Sequence, residues 1–561
     1  MEDMSLYAPD FPGEPWSERD RFFLEPFATN LDGHVHVLRN LPPEIVGALC
    51  SRASRAADSL LRVLLKEYFY PIADGENKEL AKELEDTIRF FHQRGFRNIL
   101  NNQRAQAFYA KWLSQYGDDS IAQMAGSHVV FWGISQVAMK YLEDQRIGLE
   151  PIEKSTRYVH FGKKINDQYL YYTPKPELEH FRLLREYRQA LDFLFETYLA
   201  LLPELMNFLK ANYAEKESIL EKKAFDTLRG LLPAATLGQV AFRGNAQAWE
   251  YLINRTAKHP LGEFRWIAEA VKAELDKEIP SLLLRISDPK SQHYQEYLGK
   301  RSLRGRHFAA PKIKTWQLEG ATSESKPVVK LVEYDPEATI KIVTAILFPL
   351  LHRSWSEVFE LVKSLKPEEK NEILKMYLKD RSARWYKVGR AFESSYLRFE
   401  ITMNIGSYRD LHRHRMMTQE RQFFSLHHGY DVPSEIKGAG LIERFVSALE
   451  SIRPLFGKIE NYDPEFAQYA VPLAYRMRFY QWKNFRQLFW ETELRTISQG
   501  HPDYRYIEHE IYRLVKERFP EIAQAIQVDL NDYSIARRGT EERIAVKEKE
   551  IVEKLKEKLQ K

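Results

Sequence analysis

The two halves of this chain carry the same landmarks in the same order, and that repetition constrains its fold more than any other feature. In the first half, Arg229-Gly-Leu-Leu-Pro233 precedes Asn245-Ala-Gln247, His259-Pro260 and Glu263-Phe-Arg265. In the second, Tyr469-Ala-Val-Pro472 precedes Asn484-Phe-Arg486, His501-Pro502 and Tyr504-Arg505. Pro to Asn is twelve residues in both (233 to 245, 472 to 484), and Asn to the closing Arg is 20 and 21 (245 to 265, 484 to 505). Each match alone is within reach of chance. Three in one order, either side of a Gly-, Pro- and Ser-bearing stretch, indicate a duplicated and strongly diverged unit. The expected organisation is an arm over 1–30, homologous halves over 31–305 and 326–539, a linker over 306–325 and a charged C-terminal helix over 540–561.

Helical period dominates within each half. Leu183, Leu184, Tyr187, Leu191, Leu194 and Phe195 follow i, i+3/i+4 spacing, as do Ile340, Ile342, Ala345, Leu347 and Leu350. With 44% hydrophobic and 29% charged residues the composition is ordinary globular. The 83 Lys+Arg against 79 Asp+Glu leave only +4, too little for a nucleic-acid coat or a membrane surface. A single cysteine, Cys50, excludes an intramolecular disulfide framework and a cysteine-rich zinc site, and is expected in the core. The longest apolar run, Ala345 to Leu351, is broken by Pro349 and falls short of the roughly 18 residues of a span. The opening Met1-Glu2-Asp3 is unlike a signal peptide, so a soluble, cytoplasmic protein is expected.

Three constellations carry potential chemistry. His412-Arg-His-Arg415 is the densest cationic knot; it suits phosphate or carboxylate recognition, or is a solvated basic turn. Ser155-Thr-Arg157-Tyr158, after Glu153-Lys154, offers a hydroxyl and a guanidinium two residues apart; its bland alternative is a short strand with an exposed Arg. Asn484-Phe-Arg486, with Glu491 and Arg495, has helical spacing, and Glu491 with Arg495 reads as an i,i+4 ion pair. Phosphate loops, dinucleotide glycine fingerprints, nucleophile elbows and paired zinc-ligand motifs are lacking. His427-His428 with Asp431 is read as no metal site, because adjacent histidines diverge.

Taken together, these residues resemble the flavin-dependent thymidylate synthases, the ThyX family. That family's signature is Arg-His-Arg and, after seven residues, Ser-x-Arg-Tyr, with a Glu twenty residues upstream and a later Asn-x-Arg ending in Leu-Arg. Glu393 stands twenty residues before Arg413, and Asn484, Arg486, Leu494 and Arg495 reproduce the later segment. The second half has Phe423 and Ser425 where Ser and Arg would stand, whereas the first half has Glu153, Ser155, Arg157 and Tyr158. In the first half Arg-His-Arg gives way to some register of Asp144-Gln145-Arg146-Ile147, Arg229 matches a further family Arg that is lost near Gln468, and Gln247 replaces Arg486. Asp410 and Trp490 also depart from the family pattern.

The resemblance implies an α+β, helix-rich fold of two ThyX-like halves, each an antiparallel sheet surrounded by helices. It implies reductive methylation of dUMP to dTMP, with FAD as cofactor and NADPH and methylenetetrahydrofolate as co-substrates. By the same resemblance Arg413 and Arg495 are catalytic, and Glu153, Ser155, Arg157, Arg229, Arg413 and Arg495 bind substrate. Glu393, Arg413, His414, Arg415, Asn484 and Arg486 hold the flavin. The complementary losses suggest a fused pseudo-dimer with one composite site, a homodimer serving as pseudo-tetramer, and a dead reciprocal site containing Gln145 and Phe423. No nucleic acid, membrane or metal partner is expected. The alternatives are a non-catalytic or substrate-altered relative that binds nucleotide and flavin, and an RNA-directed flavoprotein using Arg301, Arg304, Arg306 and His307.

Overall fold

A computed structural model describes residues 3–95, 102–115, 119–313, 315–316 and 324–533, together with 547, 550, 551, 553 and 554 of the tail. Most of the expected C-terminal helix over 540–561 lies outside the described residues. The chain forms two compact units: residues 1–321, 423–426 and 432–474 make unit 1, and residues 322–422, 427–431 and 475–561 make unit 2.

Unit 1 contains a four-stranded antiparallel sheet of β1 (Val35–Leu38), β2 (Gly126–Ser135), β3 (Leu149–Glu153) and β6 (Leu237–Asn245), in the order β1-β2-β6-β3. A separate two-stranded ladder joins β4 (Lys164–Ile165) to β5 (Gln168–Tyr169). From Leu237 to Phe242 every residue of β6 is buried, the continuous pattern of a strand covered on both faces. Six of the unit's helices matter below: α1 (Gln136–Glu143), α2 (Leu184–Asn212), α3 (Glu217–Leu228), α4 (Ala246–Thr256), α5 (Gly262–Asp276) and α6 (Pro289–Ala309).

Unit 2 repeats the sheet with β7 (Val328–Tyr334), β8 (Tyr396–Asn404), β9 (Thr418–Arg421) and β10 (Arg476–Asn484), in the order β7-β8-β10-β9. Its key helices are α7 (Ile405–Leu411), α8 (Phe485–Arg495) and α9 (Pro502–Arg518). The identical strand order confirms two homologous sheets and the helix-rich α+β class.

One local device, a strand running into a capped helix, occurs four times. β2, β6, β8 and β10 end at Ser135, Asn245, Asn404 and Asn484, whose side chains accept from the backbone N–H of Ala138, Ala248, Ser407 and Gln487. Each cap satisfies one otherwise orphaned donor and is worth about 1 kcal/mol. The repeated asparagines of the sequence are thus explained first as helix starts.

Packing does not follow the contiguous segments 31–305 and 326–539. The repeated proline loops pair with each other inside unit 1: Ala234 N–H donates to Val471 O at 2.8 Å, and Ala474 N–H to Gly230 O at 2.9 Å. Lys223 pairs with Glu435 at 2.6 Å and Arg444 with Glu204 at 2.5 Å, tying residues 432–474 to α2 and α3. Residues 306–309, within the stretch read as linker, continue α6. The arm is partly helical rather than irregular, with turns at Met4–Tyr7 and Glu18–Leu24. Cys50 is buried, and burial pushes its thiol up to about 11.

Candidate functional site

In unit 1 the Ser-x-Arg loop leaves the end of β3. Ser155 N–H donates to Ser54 O at 2.9 Å, and Ser155 Oγ accepts from Arg157 N–H at 3.2 Å, closing a tight turn. Arg157 Nε then reaches Asp226 Oδ2 on α3 at 3.1 Å, while Arg229 Nε lies 3.3 Å from Asp226 Oδ1. The two arginine side chains are 9% and 5% exposed, so two buried cations share one carboxylate. Two of the residues expected to bind substrate are thereby brought together, and Asp226, which no motif flagged, is what joins them. Glu153 is buried and paired with Lys140 at 3.2 Å, and Lys140 also binds Glu143 at 2.5 Å. Lys154, likewise missed, is buried and donates to the carbonyls of Ala57 and Asp58 at 3.2 and 3.0 Å; burial depresses it to about 8.

In unit 2 the Arg-His-Arg turn follows the short helix α7. Arg413 is exposed, His414 buried and Arg415 half-buried, so the three adjacent side chains divide between solvent and core. His414 Nε2 accepts from Arg495 Nε at 2.8 Å, and the Gln487 amide lies 3.2 Å from Nδ1. Burial pushes His414 down to about 3, and the ring is neutral. Both ring nitrogens are engaged inside the protein, so His414 supports the site and is not itself positioned to bind a flavin. Arg486 Nη1 meets Glu393 Oε1 at 2.5 Å, bringing together two residues expected at the cofactor. Asn484 spends its Oδ1 on the cap of α8, at 2.8 Å from Gln487 N.

The expected Glu491–Arg495 pair is replaced by other partners. Glu491 binds Lys483 at 2.8 Å, both fully buried, and Arg495 lies 3.9 Å from Asp410 as well as on His414. Helical spacing made the i,i+4 pair available, but a lysine buried on the strand beneath takes the carboxylate. Trp490 carries Lys387 over its ring face, with Nζ 2.9 Å from the centroid.

The matching residues of unit 1 look different. Gln145 Nε2 donates to Ala248 O at 2.7 Å, as His414 contacts Gln487 three residues after the equivalent cap, which makes Gln145 the counterpart of His414 in the repeat. The extra residue before β3 is taken up where Arg146 and Gly148 adopt positive φ (37° and 83°). Thr256 ends α4 where Arg495 ends α8. Gln468 replaces Arg229 and accepts from Phe424 N–H at 3.2 Å. Arg306, from α6, binds Asp463 at 2.8 Å and also Glu465, with its guanidinium 5.2 Å from the Phe423 ring centroid. That engagement removes Arg306 from any RNA-facing cluster. Among the described residues no group of three or more His, Cys, Asp or Glu is placed to hold a metal, and no helix is long and apolar enough to cross a membrane.

Comparison with known proteins matches the doubled architecture. The family described as thymidylate synthase complementing protein matches residues 73–281 and again 330–521. A UPF0159 protein of Chlamydia pneumoniae is 35% identical over 94% of this chain and 98% of its own length. A UPF0159 protein of Thermoplasma acidophilum is 30% identical over 83% and 97%. Among solved structures, a UMP/dUMP methylase PolB from Streptomyces cacaoi bound with 5-Br dUMP aligns at TM-score 0.30 and 14% identity, covering 36% of this chain and 96% of that one. Matched in both halves by one family, and over nearly their full length by the UPF0159 relatives, this chain belongs to the thymidylate synthase complementing protein family.

Proposed function

We propose that the protein is a flavin-dependent thymidylate synthase-like enzyme that methylates C5 of dUMP, with methylenetetrahydrofolate as carbon donor and NADPH as reductant. The observation that carries this reading is the pair of buried arginines, Arg157 and Arg229, on the single carboxylate of Asp226. Two guanidinium groups gathered by Asp226 are charge-assisted donors suited to an incoming phosphate dianion. Ser155, beside Arg157, adds a hydroxyl donor, and Glu153 on its lysine fixes the loop. Arg413 and Arg495 are assigned to the pyrimidine, where fixed cations stabilise the negative charge on the enolate form of the ring that makes C5 nucleophilic. The absence of a reactive cysteine agrees with a route that needs no thiol adduct.

The donor set of unit 2 fits a flavin dinucleotide. Arg413, Arg415 and Arg486 are three guanidinium groups for an anionic pyrophosphate, with Asn484 for a ring carbonyl and Glu393 holding Arg486 in place. FAD, when bound, supplies the hydride. The chain's own residues bind the two anions and orient them.

A second reading, a relative that binds nucleotide and flavin without turnover, draws on the carboxylate already beside each of Arg157, Arg229, Arg486 and Arg495. One experiment separates the readings. Purified protein is scanned for a flavin spectrum, bleached with NADPH without oxygen, then given dUMP and methylenetetrahydrofolate while dTMP is followed by chromatography. Re-oxidation with dTMP formation supports the enzyme, bound flavin without dTMP supports the second reading, and neither flavin nor nucleotide binding sinks both.

A further inference from the structure

The polar cluster behind His414 has no counterpart in unit 1, although the two frames match position by position. Counted from the caps Asn484 and Asn245, Gln481, Lys483, Gln487 and Glu491 correspond to Phe242, Gly244, Ala248 and Leu252. Thr492 corresponds to Ile253 on the same count. Glu508, five residues after Asp503, corresponds to Ala268, five after Glu263. Asp503 and Glu263 are matched because each accepts from the cap residue before α7 or α1, Asn404 at 2.6 Å and Ser135 at 2.7 Å. All the unit 1 residues are buried and apolar. The frame therefore folds without these charges, and removing an ion pair from water there costs desolvation with no gain to the frame itself.

What unit 2 holds at this place, and unit 1 does not, is His414. Lys483 Nζ donates to Glu491 Oε2 and Gln481 Oε1, each at 2.8 Å, and Gln481 Nε2 donates to Glu491 Oε1 at 3.1 Å. Gln487 lies one turn before Glu491 on α8 and presents its amide to His414. Arg495 Nε–H is a donor only, so His414 Nε2 must carry the lone pair and a neutral ring carries its proton on Nδ1. The two ends of a carboxamide have the same shape, so Gln487 can turn its oxygen to that N–H, exchanging the long 3.5 Å contact of its Nε2 with Glu491 Oε2 for an oxygen that accepts from the ring.

We propose that Lys483, Glu491 and Gln487 are positioning residues that hold His414 as the Nδ1–H tautomer and thereby aim the Arg495 guanidinium. What Arg495 is aimed at rests on the function proposed above; the tautomer does not. The test uses the full chain with 15N-labelled histidine, without nucleotide or flavin, the His414 signal being identified by its loss in His414→Gln. The expected spectrum has a protonated Nδ1 and an unprotonated Nε2 that persist from about pH 6 to 8. Replacing Gln487 by its unit 1 counterpart (Gln487→Ala), or the ion pair by apolar residues (K483M with E491L), is expected to give a tautomer mixture. The same variants are expected to lower kcat about tenfold or more with KM little changed.

A wild-type His414 that carries its proton on Nε2, or titrates like a free histidine, overturns the proposal. So does a His414 signal unchanged in Gln487→Ala. If the K483M/E491L chain does not fold, the wild-type and Gln487→Ala spectra still decide. Loss of the tautomer with dTMP formation intact sinks this inference alone, whereas a persistent tautomer without dTMP formation sinks the proposed function alone.

Discussion

Arg157 reaches Asp226 at 3.1 Å from a loop to a helix sixty-nine residues further along the chain. The carboxylate is therefore both the counter-ion of the buried arginines and the group that sets their geometry. Replacing Asp226 by Ala leaves Arg157 and Arg229 buried without it, and stability is expected to fall by about 2–3 kcal/mol. Anions that bind the folded form then restore part of the loss. Thermal melts in increasing phosphate are expected to rise more steeply for Asp226→Ala than for the wild type; equal slopes would separate the arginine pair from anion binding.

The buried carboxyl of Glu508 gives a pH signature. Burial first, and the neighbouring Glu491 carboxylate second, push it up to about 8 from a usual value of 4.5. The folded state thus holds a proton that the unfolded state has released, and the stability this gives is lost as pH rises through 8, by ~1.4 kcal/mol per pH unit. Glu263, also raised by burial, to about 7, adds the same trend lower down. His36, His259 and His414 are depressed by burial to about 4, 3 and 3, and act oppositely, losing stability only as pH falls below 6.5. Between pH 7 and 8 Glu508 is thus the group in play among these five. Denaturant midpoints should decline over that interval in the wild type and stay level in Glu508→Gln, whereas Glu263→Gln should leave that interval unchanged and lessen the decline only below 7, where Glu508 still contributes.

How much of this was legible beforehand follows from where the information lies. The repeated Pro-to-Asn spacing foretold two matching sheets because it measures a strand and its helix cap, which are local. The meeting of Glu393 with Arg486 was reachable from a motif whose members had to converge. Asp226, Lys154 and Lys483 were not, since a buried charge is identified by what surrounds it and an isolated Asp or Lys reads as surface. The Glu491–Arg495 expectation failed for the same reason: spacing along one helix cannot reveal a lysine on a strand beneath it. Nor could contiguous segments reveal that residues 432–474 pack with the first sheet's helices, because the proline loops pair through backbone groups that every sequence carries.

The substitutions at the matching constellation of unit 1 predict stoichiometry. Gln145, Thr256, Ser425 and Gln468 stand where His414, Arg495, Arg157 and Arg229 are proposed to act, and none carries a positive charge. The guanidinium of Arg306 is already committed to Asp463 and Glu465. Titration calorimetry with dUMP is expected to give one site per chain. Arg306→Ala should lower stability by about 3 kcal/mol, because it takes the guanidinium from the buried Glu465 and leaves it to His259 at 3.5 Å, and should not change that number. Two equivalent sites per chain would contradict the division of roles between the units.

Arg495 offers the sharpest kinetic prediction, since its Nε is spent on His414, Asp410 lies 3.9 Å from its Nη1, and the function proposed above directs its remaining donors to substrate. A lysine keeps the charge but cannot donate from a nitrogen at the Nε position while presenting others beyond it, so the tie to His414 is lost with the fork. Arg495→Lys is therefore expected to lower kcat/KM for dTMP formation by about a hundredfold, or ~3 kcal/mol of transition-state stabilisation. Arg157→Ala acts on the bound anion in ground and transition state alike, and should raise KM for dUMP about tenfold or more with kcat nearly unchanged. Steady-state kinetics of the two variants side by side check the assignment. If Arg495→Lys altered only KM, its place would be with the phosphate, and Arg413 alone would remain at the pyrimidine.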